Sequence, residues 1–216
     1  SSLQSLFDRV GYKLETLLRM RVYRPTNAKE VLLGDDTESD YFIFTFYQCI
    51  LSGWIHGERL QQFLYRLQFT DREALTRDAA RSIVALAERN LQVHGAVNPV
   101  TAVWINRAAS NDTSNMRKEI EESLPSEWDQ KPDFSTIQFP VACEGAAGFA
   151  MHALETGFLN SEEAVRFLHA LEGKILKEKV LDAQRIDEII TECKVSEDQK
   201  SRLHAALREH RSTHQK

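Results

Sequence analysis

An all-α fold of roughly nine to eleven helices is what the sequence predicts, and three observations predict it. Apolar residues recur at three- and four-residue spacings through most of the chain. Helix start and stop residues punctuate that pattern. A stretch in the first half also matches one in the second without a gap: an offset of 104 residues carries Gly53, Glu58, Phe63, Leu64, Leu67, Asp78, Ala79, Arg81 and Glu88 onto identical residues, 9 in 36 positions. Chance would give about two or three. The expected organisation is a single all-α domain over 1–216. Its halves, 41–110 and 139–212, are duplicated helical-hairpin units joined by a Pro-containing connection at 111–138 and packed as one bundle. A stacked helical-repeat array is the alternative.

Taken in order, Leu3, Leu6, Phe7, Val10, Leu14, Leu17 and Leu18 form one helical stripe. That helix should end near Tyr23, because Pro25 pushes Arg24 out of helical geometry. A short helix from Thr26, as N-cap, to Leu33 would stop at Gly34. The run that begins Tyr41-Phe-Ile-Phe-Thr-Phe-Tyr has strand-like composition. It continues through Leu51, past typical strand length, and acidic residues precede it, so a buried helix over Ser39–Ser52 is expected. Helices at Glu58–Gln68 and, from a Thr70/Glu73 capping box, to about Val93 follow. Asn98-Pro99 reads as an N-cap with Pro at the first position of a helix through Trp104 to Ala109. Thr113 would cap another, ending near Leu124. Segment 126–138 is a connection, and helices are then expected at Phe139–Glu155, Ser161–Lys179, Asp182–Lys194 and Ser196–His210.

Composition limits the function classes. With 27 basic against 32 acidic residues the net charge is −5, and 42% of the 216 residues are apolar. This is an ordinary globular chain with enough core to need neither disulfide nor structural metal. Cys49, Cys143 and Cys193 lie too far apart for a zinc or disulfide framework and read as buried free thiols, which favours a cytoplasmic or other reducing intracellular compartment. The longest apolar run is too short to span a membrane at about 20 residues. The start at Ser1-Ser2 without an initiator Met suggests an excised piece of a longer protein.

Specific chemistries can be weighed residue by residue. The hairpin glycines Gly53 and Gly157 occupy the place of a calcium-loop glycine, but the ligand positions would be Gln48 and Ile50, or His152 and Leu154, which lack carboxylates. No Glu-x-x-His suits a di-iron site; His152 and Glu155 stand in the reverse order, and His210 and His214 lie in a polar tail. Neither a phosphate loop nor a nucleophile elbow occurs. Gly145, Ala146 and Gly148 read as a close helix–helix contact. Arg19, Arg21 and Arg24, and Arg202, Arg208 and Arg211, read as helix-end cations, so nucleic-acid binding is not expected at an isoelectric point near 5.8.

Neither catalytic residues nor a metal or cofactor are expected. The function that remains is a non-enzymatic interaction module, an adaptor or scaffold that offers a groove between its halves to a protein partner or to a second copy in a homodimer. Its candidate partner-binding residues are Trp54, His56, Trp128 and Phe134, large or aromatic side chains in a turn and in the connection. The alternative is a bundle, possibly catalytic, that holds a small apolar ligand or cofactor among the Tyr41–Tyr47 aromatics and His56, His94, His152 and His169.

Overall fold

The computed structural model describes residues 10–35, 40–70, 77–106, 118, 122, 134–178 and 183–214. Among them are eight α-helices and a three-stranded sheet: α1 Val10–Val22, β1 Glu30–Asp35, α2 Asp40–Leu51, α3 Gly57–Thr70, α4 Arg77–His94, β2 Val100–Asn106, a 3-10 turn Phe134–Thr136, β3 Pro140–Cys143, α5 Gly145–Glu155, α6 Ser161–Glu178, α7 Ala183–Glu192 and α8 Glu197–His214. The strands are parallel and ordered β1-β2-β3. The fold is therefore mostly helical rather than all-α, with fewer helices than expected. The chain divides into two compact units, Ser1–Ile105 with Ala109–Ala142, and Asn106–Ala108 with Cys143–Lys216.

In the first unit α2 is the central element. Every residue from Asp40 to Leu51 is buried, which is what a helix without a polar face requires. Phe42, Phe46 and Phe63 stack there, the closest pair, Phe46 and Phe63, with ring centres 4.4 Å apart. Leu14 and Leu18 of α1, Leu60 and Leu64 of α3, and Ile83 and Ala87 of α4 close the core around it. Helix, not strand, is thus the outcome for the aromatic run, because its length lets all faces be covered.

Strands take up part of three expected helical segments. The Thr26–Leu33 helix is replaced by a turn and β1. The buried Arg21 guanidinium donates to the carbonyls of Thr26 at 2.9 Å, Pro25 at 3.3 Å and Ala28 at 3.4 Å, taking acceptors that helical N–H groups would have used. Gly34, expected as a helix stop, instead lets β1 pass α2, since a Cβ there would sit 2.5 Å from the Asp40 Cβ. Where a helix over Asn98–Ala109 is expected, the described residues form β2 instead, and 107–109 lie outside them. Asn98 caps a strand start: its Oδ1 accepts the Val100 N–H at 3.1 Å, while its Nδ2 donates to Gln48 Oε1 and the Thr136 carbonyl. The β-branched Val100-Thr-Ala-Val-Trp-Ile run then prefers the sheet. Finally, the helix expected from Phe139 begins at Gly145, after β3 has paired with β2.

In the second unit Ala150, Met151 and Leu154 of α5 pack with Leu168 of α6, Ile186 and Ile190 of α7, and Leu203 and Leu207 of α8. Reciprocal caps set two of the starts. Asn160 Oδ1 accepts the Glu163 N–H while Glu163 Oε2 accepts the Asn160 N–H, and Ser196 and Gln199 do the same for α8. The close approach of Gly148 is real but differs from the expected helix–helix contact: a Cβ would lie 3.1 Å from the Cys143 carbonyl carbon, at the end of β3. The Thr70/Glu73 capping box is not what opens α4. Thr70 ends α3, and Glu73 lies outside the described residues, as do residues 1–9 and all but Lys118 and Glu122 of the Thr113–Leu124 helix.

The turns after α2 and α5 carry the same bonds. Ser52 N–H donates to Gln48 O, Gly53 N–H to Ile50 O, and the Trp54 and Ile55 N–H groups to Cys49 O. The residues 104 positions later repeat it: Thr156 to His152, Gly157 to Leu154, and Phe158 and Leu159 to Ala153. Gly53 and Gly157 adopt φ of 73° and 75° there, the left-handed geometry of a Schellman close.

Candidate functional site

The four candidate partner-binding residues fall in different settings. Trp54, in the turn after α2, is half-buried and packs against the first unit's apolar core. His56 is exposed one residue before α3, where its carbonyl accepts the Leu60 N–H. Phe134 begins the 3-10 turn, and Trp128 lies outside the described residues.

The ionisable groups are engaged in holding the fold. In the first unit Glu30 accepts from Tyr47 Oη at 2.9 Å and faces Arg21 Nη1 at 3.5 Å, all three being buried. Burial, and then the neighbouring Glu30 carboxylate, pushes the Tyr47 phenol far above its usual pKa, so it stays a neutral donor. His94 joins the same corner, with Nε2 3.0 Å from the Arg21 carbonyl and Nδ1 3.0 Å from Thr26 Oγ1. Of the histidines expected to line a pocket in the ligand-binding alternative, this one is bonded into the wall of the unit.

The second unit has its own charge network. Glu172, 1% exposed, accepts from Arg211 Nε at 2.7 Å, and Arg211 Nη1 reaches Asp187 at 2.8 Å. Burial disfavours the Arg211 charge, but Asp187 and Glu172 more than compensate and raise its pKa. The His169 and His210 rings stack 4.3 Å apart beside this cluster. His152 and Glu155 pair at 2.8 Å on α5, and Glu155 also accepts the Lys194 N–H at 2.5 Å.

Thiol chemistry is suppressed. Burial pushes Cys49 up to about 12; Cys143 and Cys193 also reach about 12, by burial and then by the Glu155 carboxylate nearby. A thiol held that high supplies almost no thiolate at neutral pH. Among the described residues no group of three or more His, Cys, Asp and Glu side chains could hold a metal, and no helix is long and apolar enough to cross a membrane.

Described residues of the first unit form two open grooves on its surface. One, of about 630 Å³, lies between α3 and α4 and is floored by Leu64, Ala80 and Val84, with Tyr65, Arg81 and Glu88 on its rim. The other, of about 380 Å³, runs between α1 and β1 and is lined by Tyr12, Leu17, Leu33 and Phe44, with Lys13 and Arg24 as its cations and Asp40 as its acid. Large apolar side chains stand exposed on both: Tyr12 at 75%, Leu33 at 57% and Tyr65 at 59%. Sequence reasoning missed these three. Tyr12 and Tyr65 carry a mixed polar and apolar character that periodicity does not resolve, and Leu33 falls at the end of the expected Thr26–Leu33 helix. No protein-family model, curated protein or solved structure matches the chain.

Proposed function

We propose that this chain is a non-enzymatic interaction module that binds a protein partner or a second copy of itself through the first unit. The observation that carries the reading is a division of labour. The buried ionisable groups of both units are bonded to one another, whereas Tyr12, Leu33 and Tyr65 present apolar surface beside open grooves. Exposed aromatic side chains bordering a concave surface are the usual anchors of protein interfaces. Trp54 and His56, at the turn into α3, would contribute at the margin of that surface, and Trp128 and Phe134 complete the set to be scanned.

Descent of the two halves from one duplicated helical-hairpin unit belongs to the same proposal. It is supported by the identical turn bonds at an offset of 104 residues, by Gly53 and Gly157, and by the recurrence of Asp-Ala-x-Arg at Asp78 and Asp182. A reducing intracellular compartment suits the three buried thiols.

Native mass spectrometry beside the denatured mass tests the reading. A monomer or dimer of the bare chain is expected. Extra mass that leaves on denaturation would replace the module with the ligand-binding bundle. Alanine substitution of Tyr65 and Trp54 should weaken a partner identified by cross-linking in cells, and an unchanged affinity for both would move the interface elsewhere.

A further inference from the structure

We infer that the free edge of β1 is a docking strand for an extended peptide that carries alternating apolar side chains and one acidic residue. This rests on the interaction-module reading and specifies its ligand. Among the described residues β1 ends the sheet, with β2 as its one neighbour. Glu30 faces β2, because its N–H donates to the Pro99 carbonyl at 3.0 Å and its carbonyl accepts from Thr101 Oγ1 at 3.1 Å. Main-chain groups alternate sides along a strand, so Leu32 and Gly34 also face β2, whereas Val31, Leu33 and Asp35 turn theirs outward. The Asp35 N–H already donates to Asp40 at 3.1 Å. Among the described residues, the N–H and C=O groups of Val31 and Leu33 remain as the edge that an incoming strand would pair with.

Folded proteins usually blunt such an edge with a charge, a Pro or a bulge. Here the outward position holds Leu33, 57% exposed, and the edge is flanked by a groove instead of being covered by α1. A strand laid in that groove would bond to β1 on one side. Its alternate side chains would rest on Tyr12 and Leu17 of α1 and on Phe44 of α2.

Charge selects the ligand further. In a chain of net charge −5, the groove is lined by Lys13 and Arg24 against a single acid, Asp40, which Lys13 already pairs at 2.5 Å. Arg24, exposed in the turn that leads to β1, is left to meet a carboxylate from the peptide.

The probe is a phage-displayed library of linear dodecapeptides, selected on the whole chain. Enriched sequences should alternate apolar residues around one Asp or Glu. Leu33→Pro, which deletes an outward N–H and leaves the β2 ladder alone, should weaken a selected peptide about tenfold, the loss expected from one missing bond and an orphaned carbonyl. Leu33→Lys should weaken it similarly, Arg24→Glu should select against the acidic residue, and N-methylation of alternate peptide amides should abolish binding. The last measurement is independent of how any variant folds. Peptides that bind equally well to Leu33→Pro and tolerate N-methylation would overturn the edge-strand reading while leaving an interaction module standing. Failure to enrich any extended sequence would also overturn it, with the module then judged by the cross-linked partner alone.

Discussion

The two units close the same turn over different materials. Before Gly53 stands α2, whose Phe42, Phe44, Phe46 and Tyr47 are all buried; before Gly157 stands α5, built from Ala147, Gly148, Ala150 and Ala153. Partners follow suit. Phe63 of α3 is buried in the aromatic stack, while Phe167 of α6, 104 positions later, is 43% exposed. Turn geometry is therefore set by main-chain bonds and one left-handed glycine, and side-chain size is free to differ around it. The units also differ in how they keep charge inside: Arg21 and Glu30 are both buried, whereas the buried Glu172 pairs with Arg211, whose side chain is 19% exposed.

That difference predicts the largest effect. All three Trp and all five Tyr residues belong to the first unit, so their fluorescence reports that unit, and far-ultraviolet circular dichroism reports both. Arg21→Met leaves the Glu30 carboxylate buried and three turn carbonyls without their donor, and should cost about 3–5 kcal/mol in denaturant unfolding followed by fluorescence. Glu172→Gln should cost only about 1–3 kcal/mol, because Arg211 keeps Asp187. Equal losses would mean that the two networks are alike in depth.

The glycines sharpen the comparison next. Gly157→Ala meets nothing within 4 Å and pays only for its φ of 75°, about 1 kcal/mol. Gly53→Ala adds a contact 2.9 Å from the Ala96 Cβ and should cost about 2–3 kcal/mol. Identical thermal shifts for the two variants would show that space at Ala96 yields freely.

The smallest effect concerns acid. Burial works against the Glu155 charge, but the Lys194 N–H, the Cys193 thiol and His152 outweigh it and hold its pKa below 4.5. A lowered folded-state pKa stabilises the fold above the unfolded value and loses that contribution as pH falls through the folded value. Glu155→Gln should thus lower stability by circular dichroism at neutral pH, and the gap from the parent chain should close in acid. A gap that persists at low pH would assign Glu155 a packing role alone.

Much of the helical layout was legible. The stripe through Leu14 and Leu18, the buried run over Tyr41–Leu51 and the hairpin at Gly157 follow from periodicity, apolar length and a C-terminal glycine. The strands were not legible as such. Asn98-Pro99 and Thr26 carry genuine helix-start chemistry, yet Asn98 spends its amide on Gln48 and Thr136, and the Thr26 carbonyl goes to Arg21. The Asn98 partners lie 50 and 38 residues away in the chain, and Arg21, though five residues from Thr26, reaches it through a turn that helical periodicity does not announce.

The same reason hid the grooves. Trp54 and His56 stand out in the sequence because they are large or polar side chains beside a turn glycine. Tyr12, Leu33 and Phe44 meet only because α1, β1 and α2 come together.

Periodicity, caps and composition, which act within a turn or two of chain, determined that this protein is chiefly helical and where most helices end. Pairing decided the rest. Strand choice at Asn98 and the open edge at Leu33 depend on groups tens of residues apart, and the Arg21–Glu30 contact on burying both of its groups, so these bonds form only once the chain has folded.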